Sequence, residues 1–362
     1  MRDKVICFFN SAKTWGGGEK WHYDIATRLH AKGYKVIVIT NKKSELFLRL
    51  SESEIKTYSV KISNYSFLNP FKAKKVAAIL KNEHVSTIII NLPSDLKVAG
   101  PVSRKAGVTK VIYRRGSAIP IKNKLSNRIL FKNYIDEIIA NSEATKNTIL
   151  SNNPTLFDKN KINVIYNGII LDEKEIDNVN PIYTRKNNEL IIGNAGRFVK
   201  QKNHPFLIQL VSKLKEENIN SKLLLAGSGK LESDIRALVK QLNVEDKIVF
   251  TGFIENIDNF MESIDIYILP SLWEGFGYVL VEAMLHKKPV IAFNLSSNPE
   301  IIEDKKTGFL TEPNNLEEIT NKIKLLATNQ ELREKMGIDG EKRVKTLFTI
   351  ERVVEEIEKT VV

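Results

Sequence analysis

The chain has 362 residues, of which 42% are hydrophobic and 27% charged, and it carries a net charge of +12. Its length favours two domains of ordinary size, and no apolar run approaches the roughly 18 residues of a spanning helix, which excludes an integral membrane protein. The one cysteine, Cys7, lies in an apolar run, so an internal disulfide and a cysteine metal cluster are excluded and a reducing compartment is expected.

The opening stretch "MRDKVICFFNSAKTWGGG" holds only about five consecutive apolar residues and no small-residue cleavage site, so a cytoplasmic location is expected. Short β-branched runs then alternate with helical patterns. "KVICFF" predicts a strand, followed by a helix at roughly 18–32 and the strands "KVIVIT", "STIIIN", "KVIYR", "EIIANS" and "NVIYNG". Such a βα series builds a parallel sheet. These residues, 1–170, form the expected N-terminal domain. The polar, aperiodic segment 171–187 is the expected linker. The pattern restarts over 188–345 with "LIIGNAG", a helix at roughly 203–217, "SKLLLAGSG", a helix at roughly 231–242, "KIVFTG", a short helix, "DIYILPS", a helix at roughly 278–288 and "PVIAFN". Consecutive helices follow, the last of them, 346–362, expected to cross back to the first domain. The fold class is α/β, with two Rossmann-like domains and a ligand expected in the cleft, because open α/β sheets bind at the carboxyl ends of their strands.

Charge divides unevenly between the halves. Residues 1–170 hold 29 Lys and Arg against 12 Asp and Glu, a net of +17, and residues 171–362 hold 26 against 31, a net of −5. A half this basic suits nucleic acid, an anionic membrane surface or a phosphate-bearing substrate.

Three stretches can carry chemistry. In "NSAKTWGGGEKW", Gly16, Gly17 and Gly18 lie between the first strand and first helix, where backbone N–H groups can approach an anion and the helix dipole favours negative charge. In "GNAGRFVKQKNH" the strand ends at Gly196, and Arg197, Lys200 and Lys202 supply a guanidinium fork and point charges for phosphate oxygens. "AGSGK" at 226–230 is not a phosphate-binding P-loop, because Leu231 stands where Ser or Thr would hold magnesium. The third stretch, "SLWEGFGYVLVEAM", sets Glu274 on a loop and Glu282 just beyond the first turn of a buried helix that begins near Gly277 or Tyr278. Two carboxylates also serve glycosidases. Here the glycine-preceded helix N-terminus between them calls for a phosphate, with a sugar at one end and a ribose at the other offering hydroxyls to the carboxylates.

The run from Glu274 to Glu282 resembles the E-x7-E signature of retaining nucleotide-sugar glycosyltransferases of family 4, which have the GT-B architecture. "IANSEATKNTIL", "VIYNGI", "GNAGRFVKQKNH", "LLLAGSGKLESDI", "VFTGFIENIDNFMESIDIYILPSLWEGFGYVLVEAM" and "PEIIEDKKTGFL" resemble the family's successive signatures in order, over roughly residues 10–315. The resemblance implies that Arg197 and Lys202 hold the donor diphosphate, assisted by main-chain N–H groups at Gly277, Tyr278 and Val279 and by the loop at Gly17 and Gly18. Glu282 would bind the ribose. Glu274, with the backbone at Gly275, Phe276 and Gly277, would bind the donor sugar, and Phe253 and Ile254 would border the base. The donor is expected to be a UDP-sugar and the acceptor a saccharide or lipid-linked glycan. No Asp-x-Asp occurs in the chain, so no metal and no further cofactor is expected, and Arg, Lys and the helix dipole must stabilise the departing phosphate.

Many relatives carry a His at the end of the strand in "KVIYRRGSAIP"; here Arg114 or Arg115 occupies that place, a candidate for donor or acceptor phosphate. Relatives also often have paired glycines where Ser296, Ser297 and Asn298 stand, which exposes the choice of donor sugar to change. Over 114–132 there are six Lys or Arg and no acid, and Ile121, Leu125, Ile129 and Leu130 recur at helical spacing beside Lys122, Lys124, Arg128 and Lys132. A basic amphipathic helix, peripheral attachment to an anionic leaflet and a lipid-linked or lipopolysaccharide-type acceptor are expected. Two other readings compete. A nucleotide-sugar 2-epimerase shares the architecture but needs cleft histidines that the glycine-rich loops lack. A nucleic-acid binder would interleave aromatics with the basic residues, which this chain does not do.

Overall fold

A computed structural model of the protein describes residues 4–171, 180–186 and 188–361. The chain divides into two units, Met1–Gly168 with Ile350–Val362, and Ile169–Thr349. The first contains seven strands: β1 (Val5–Asn10), β2 (Lys35–Thr40), β3 (Lys56–Ser59), β4 (Val85–Ile90), β5 (Lys110–Arg115), β6 (Glu137–Ala140) and β7 (Ile162–Val164), in the order β3-β2-β1-β4-β5-β6-β7 and all parallel. The second contains six: β8 (Leu190–Ala195), β9 (Ser221–Ala226), β10 (Ile248–Gly252), β11 (Ile266–Leu269), β12 (Val290–Phe293) and β13 (Gly308–Thr311), ordered β10-β9-β8-β11-β12-β13 and again parallel.

Parallel strands covered by helices on both faces read as continuous apolar runs, and that is why these segments are recognisable. Side chains alternate across the sheet: Cys7 and Phe9 of β1 belong to one core, Ile6 and Phe8 to the other. In both sheets the strand order reverses at the centre, between β1 and β4 and between β8 and β11. The carboxyl ends of strands beside such a reversal are where open α/β sheets bind ligands.

Two strands lie outside the sequence expectation. β3, "KTYS", and β13, "GFLT", are short edge strands without a long apolar run, and β3 is fully buried at none of its four residues. Of the expected linker, residues 172–179 and 187 lie outside the described residues. The described part is held to the second unit, with Asn180 N–H donating to Asn259 Oδ1 at 2.9 Å and Ile182 N–H to Ser263 Oγ at 2.8 Å. Residues 346 and 347 complete the helix Gln330–Leu347 rather than opening the last one. That last helix, Ile350–Val361, places Ile350, Val353, Val354, Ile357 and Val361 in the core that holds Trp21, Ile25 and Leu29 of the helix Gly17–Ala31. It is part of the first unit.

The basic helix also differs from the expected one. It spans Leu125–Tyr134, beginning after the extended residue Lys124 rather than at Ile121. Its apolar residues do not form one stripe. Ile121 and Leu130 are buried in the core, whereas Leu125 and Ile129 are 71% and 46% exposed.

Candidate active site

In the second unit the site is built on the strand ends beside the β8/β11 reversal. After β8 the chain turns at Gly196 and runs through a short 3-10 turn, Lys200–Lys202, into the helix His204–Glu216. The aliphatic stem of Lys202 lies against Gly196, where a Cβ would come within 3.2 Å of its Cε. The "AGSG" loop after β9 braces this turn: Phe198 N–H donates to Ser228 O and Gly196 N–H to Ala226 O, both at 2.9 Å. Gly227 adopts φ +123, and a Cβ there would stand 2.1 Å from Gly196 O, so only glycine fits. The glycines that superficially suggest a phosphate loop therefore shape the neighbouring one.

Lys202 reaches across to Glu274, its Nζ donating to Oε1 at 2.7 Å. Gln201, from the same turn, donates to Trp273 O at 2.8 Å and approaches Glu274 Oε2 at 3.4 Å. Glu274 is 6% exposed. Beyond it Gly275, Phe276 and Gly277 are buried, and Gly277 caps the helix Tyr278–Leu285, its carbonyl accepting the Leu280 N–H at 2.9 Å. Phe276 packs edge-on against Tyr278 and Phe348. Glu282, on the second turn, is half-buried, as are Tyr278 and Val279.

The two glutamates meet electrostatically at Tyr267 of β11. Its hydroxyl accepts from Ala195 N–H at 3.0 Å and donates to Ala195 O at 3.1 Å, tying β11 to the end of β8. Burial pushes this hydroxyl far above the ordinary phenol range; the Ala195 hydrogen bond opposes the shift, and the charges of Glu282 and Glu274 add to it. His204, buried under the Lys202 turn and edge-on to Phe198, is pushed down to about 4 by burial and by Lys202, so it is neutral at physiological pH. Arg197 is exposed, Phe253 is 78% exposed, and Ile254 is half-buried on the loop after β10.

The first unit carries the remaining residues singled out by sequence. Gly16 is the N-cap of the helix Gly17–Ala31, and a Cβ on Gly18 would meet Asn91 Nδ2 at 2.8 Å, so that loop sits close against the end of β4. Arg114 is buried, donating to Asn91 Oδ1 at 3.0 Å and Asn167 Oδ1 at 2.9 Å, with its guanidinium 4.8 Å from the Trp21 ring centre. Beside it His22 is held down to about 3 by burial and by the Arg114 charge. Arg115, half-buried, lies on the opposite face of β5, where its guanidinium approaches the Tyr113 hydroxyl at 3.5 Å.

Sequence reasoning did not find Gln201, Tyr267, or the buried Asp95, which accepts Ser11 N–H at 2.8 Å and also the Ser11 hydroxyl. Only the position of Gln201 between two noted lysines offered a signal. At Ser296, where relatives often have glycine, the backbone has φ +52, the left-handed region that glycine enters most readily. The neighbouring Ser297 hydroxyl donates to Glu274 O at 3.4 Å.

Comparison with known proteins agrees with this architecture. Residues 158–343 match the family model described as glycosyl transferases group 1, and residues 15–173 match glycosyltransferase family 4. An uncharacterized glycosyltransferase of Methanocaldococcus jannaschii is 33% identical over 267 residues, covering 72% of this chain and 70% of its own. The Campylobacter jejuni N-acetylgalactosamine-N,N'-diacetylbacillosaminyl-diphospho-undecaprenol 4-alpha-N-acetylgalactosaminyltransferase is 25% identical, covering 76% of each chain. Among solved structures, Anabaena HepE in complex with UDP and glucose superposes with a TM-score of 0.83 at 21% identity, over 98% of each chain, which shows the shared GT-B fold. With the matched models spanning both halves, the chain belongs to the group 1 glycosyl transferases, a glycosyltransferase of GT-B fold with a family 4 N-terminal half.

Proposed function

We propose that the protein is a retaining, metal-independent glycosyltransferase that moves a sugar from a nucleotide diphosphate sugar, a UDP-sugar in the first instance, to a saccharide or lipid-linked glycan acceptor in the assembly of cell-surface polysaccharide or lipopolysaccharide. The observation that carries this reading is the convergence of Lys202, Glu274 and the helix Tyr278–Leu285 with its Glu282 beside the β8/β11 reversal. Lys202 has three N–H donors, of which one engages Glu274; the others are available to a donor diphosphate, with Arg197 adding a fork. Glu282 accepts the ribose hydroxyls, Glu274 with Gly275 to Gly277 receives the sugar, and Phe253 and Ile254 border the base.

In the reaction the bond between the anomeric carbon and the phosphate oxygen breaks and a bond to the acceptor oxygen forms on the same face. The acceptor proton passes to the departing phosphate. Negative charge grows on that phosphate as the bond lengthens, and Arg197, Lys202 and the helix N-terminus are the groups that stabilise it without a metal.

The acceptor assignment draws on the net +17 of residues 1–170, on the exposed Leu125 and Ile129 beside Lys122, Lys124, Arg128 and Lys132, and on the lipid diphosphate acceptor named for the Campylobacter relative. No helix among the described residues is long and apolar enough to cross a membrane. The proposed attachment is peripheral, on the inner face of the cytoplasmic membrane.

A thermal-shift panel of UDP, GDP and ADP with their sugars tests the donor, since a ligand at about 100 times its Kd stabilises the native state by about 2.7 kcal/mol. UDP and a UDP-sugar should raise the Tm. Glu282→Ala should weaken the nucleotide about tenfold, the loss of one charge-assisted hydrogen-bonding group. Unchanged nucleotide affinity in folded Glu282→Ala protein would refute the ribose assignment.

A further inference from the structure

The first unit contains a pocket of about 370 Å³ between the helix Pro93–Lys105 and the segment that follows β5. Its lining includes Lys97, Arg115, Lys122 and Lys124 over the apolar faces of Tyr113 and Leu130, and no Asp or Glu lines it. Among the described residues none of these four cations forms an ion pair with a carboxylate. Lys97 sits with its Nζ 5.7 Å from the Phe67 ring centre. Arg115 is fixed at one edge, where its guanidinium donates to Ile119 O at 2.5 Å, while its buried Nε–H has no hydrogen-bond partner among the described residues. A buried Arg115 donor without a partner, at the edge of a concavity that gathers four cations and no carboxylate, is a place that an anion would complete.

Position supports the same conclusion. Arg115 is the last residue of β5 and Pro93 follows the end of β4 by three residues, so the pocket lies at the carboxyl ends of β4, which borders the β1/β4 reversal, and of its neighbour β5. A carboxylate would neutralise one of the four charges, whereas a phosphate monoester or diphosphate neutralises more and presents several oxygens to the Arg fork and the Lys ammonium groups. The apolar floor, and the exposed Leu125 and Ile129 on the adjoining helix, give a neighbouring hydrocarbon a surface to lie on.

We propose that this pocket is the subsite for a phosphate or diphosphate group carried by the acceptor. The inference rests on the glycosyltransferase reading above but concerns residues in the other unit from the donor's. The test is calorimetric titration of the whole protein at saturating UDP, which keeps the donor diphosphate site filled. The probes are farnesyl diphosphate, glucose 1-phosphate and inorganic pyrophosphate. Farnesyl diphosphate should bind, and Lys97→Gln with Arg115→Gln should weaken it about tenfold or more, as expected for removing charged donors to phosphate oxygens. Changing Lys42, Lys43, Lys105 and Lys159 to Gln, all exposed and outside the pocket, should leave it unchanged. Should the first variant not fold, Lys122→Gln with Lys124→Gln, both at exposed positions, reads the same loss.

Farnesyl diphosphate binding much more tightly than the two soluble probes identifies a lipid-borne phosphate; equal affinity, with the same sensitivity to the variants, identifies a soluble phosphorylated acceptor. Absence of binding, or equal binding by wild type and pocket variants, overturns the proposal. UDP affinity, measured first, separates the two readings: a protein that binds UDP but no phosphate probe loses only this inference, and one that binds no nucleotide loses the functional reading itself.

Discussion

Lys202 and Glu274, 72 positions apart in sequence, form a 2.7 Å ion pair in which the side chains retain only 17% and 7% of their exposure. Both charges are partly desolvated, so each depends on the other, and removing one strands its partner. Lys202→Met and Glu274→Gln should each destabilise the protein by about 2–3 kcal/mol, and the double variant should lose much less than the sum. Urea unfolding of the four proteins measures the coupling; additive losses would mean that the pair contributes nothing beyond its separate contacts.

Arg197 differs, because its exposed side chain forms no ion pair among the described residues. Arg197→Ala should therefore leave stability within about 0.5 kcal/mol of wild type. It should lower turnover about 100-fold, more than it lowers donor affinity, because its charge matters most as the phosphate departs. Initial rates against donor concentration separate the two effects. Chelation should change neither; activity abolished by EDTA and restored by magnesium or manganese contradicts a metal-free mechanism.

Burial raises the Asp95 carboxyl from its ordinary value to about 7, against the lowering effect of its hydrogen bonds from Ser11, with Glu19 raising it further. An acid with a higher pKa folded than unfolded binds more protons in the native state between the two values. Its contribution to stability is present at low pH and is lost as pH rises from about 4 to about 7. The stability difference between wild type and Asp95→Asn should shift against wild type across that window, by on the order of a few kcal/mol. Denaturant unfolding at pH 4.5 and pH 8 decides it: a pH-independent difference excludes Asp95 as the titrating group.

Liposome sedimentation tests the peripheral attachment. Binding should require anionic lipid, weaken with added salt, and fall when Lys122, Lys124, Arg128 and Lys132 are changed together to Gln, each basic group near the surface contributing about 1 kcal/mol. Equal sedimentation with neutral and anionic liposomes counts against it. Leu125→Ser with Ile129→Ser should reduce binding and destabilise the fold by no more than about 1 kcal/mol, because Leu125 is mostly exposed and Ile129 is about half exposed.

Much of this molecule is legible in the sequence for a physical reason. Strands such as β1 and β8 are buried on both faces and open with continuous apolar runs, Val5–Phe9 and Leu190–Ile192, and helices between them keep their own period, so the parallel sheets and the GT-B fold follow from local pattern and motif order. Edge strands β3 and β13 escape because their burial is partial or their length short. The helix at Leu125 is misjudged because Ile121 and Leu125 are equally apolar, and nothing local says that one is enclosed by tertiary packing and the other is not. Around Glu274, composition identifies the carboxylate but not its partner, since Lys200 and Lys202 read alike until the turn directs one of them inward. The serine at 296 gives no hint of its left-handed conformation by itself; only the glycines that relatives often carry there point to it.

The first unit is assembled from both ends of the chain, with Ile350, Val353, Val354, Ile357 and Val361 inserted beside Trp21, Ile25 and Leu29. During synthesis this places the two units in a fixed schedule. Residues 169–349 are contiguous and can consolidate as soon as they emerge, whereas the sheet of the first unit, though made earlier, keeps part of an apolar face uncovered until the helix Ile350–Val361 has emerged. The unit begun before the other is thus completed after it, and a nascent chain stalled short of Ile350 exposes a sticky surface that a chaperone or protease can recognise.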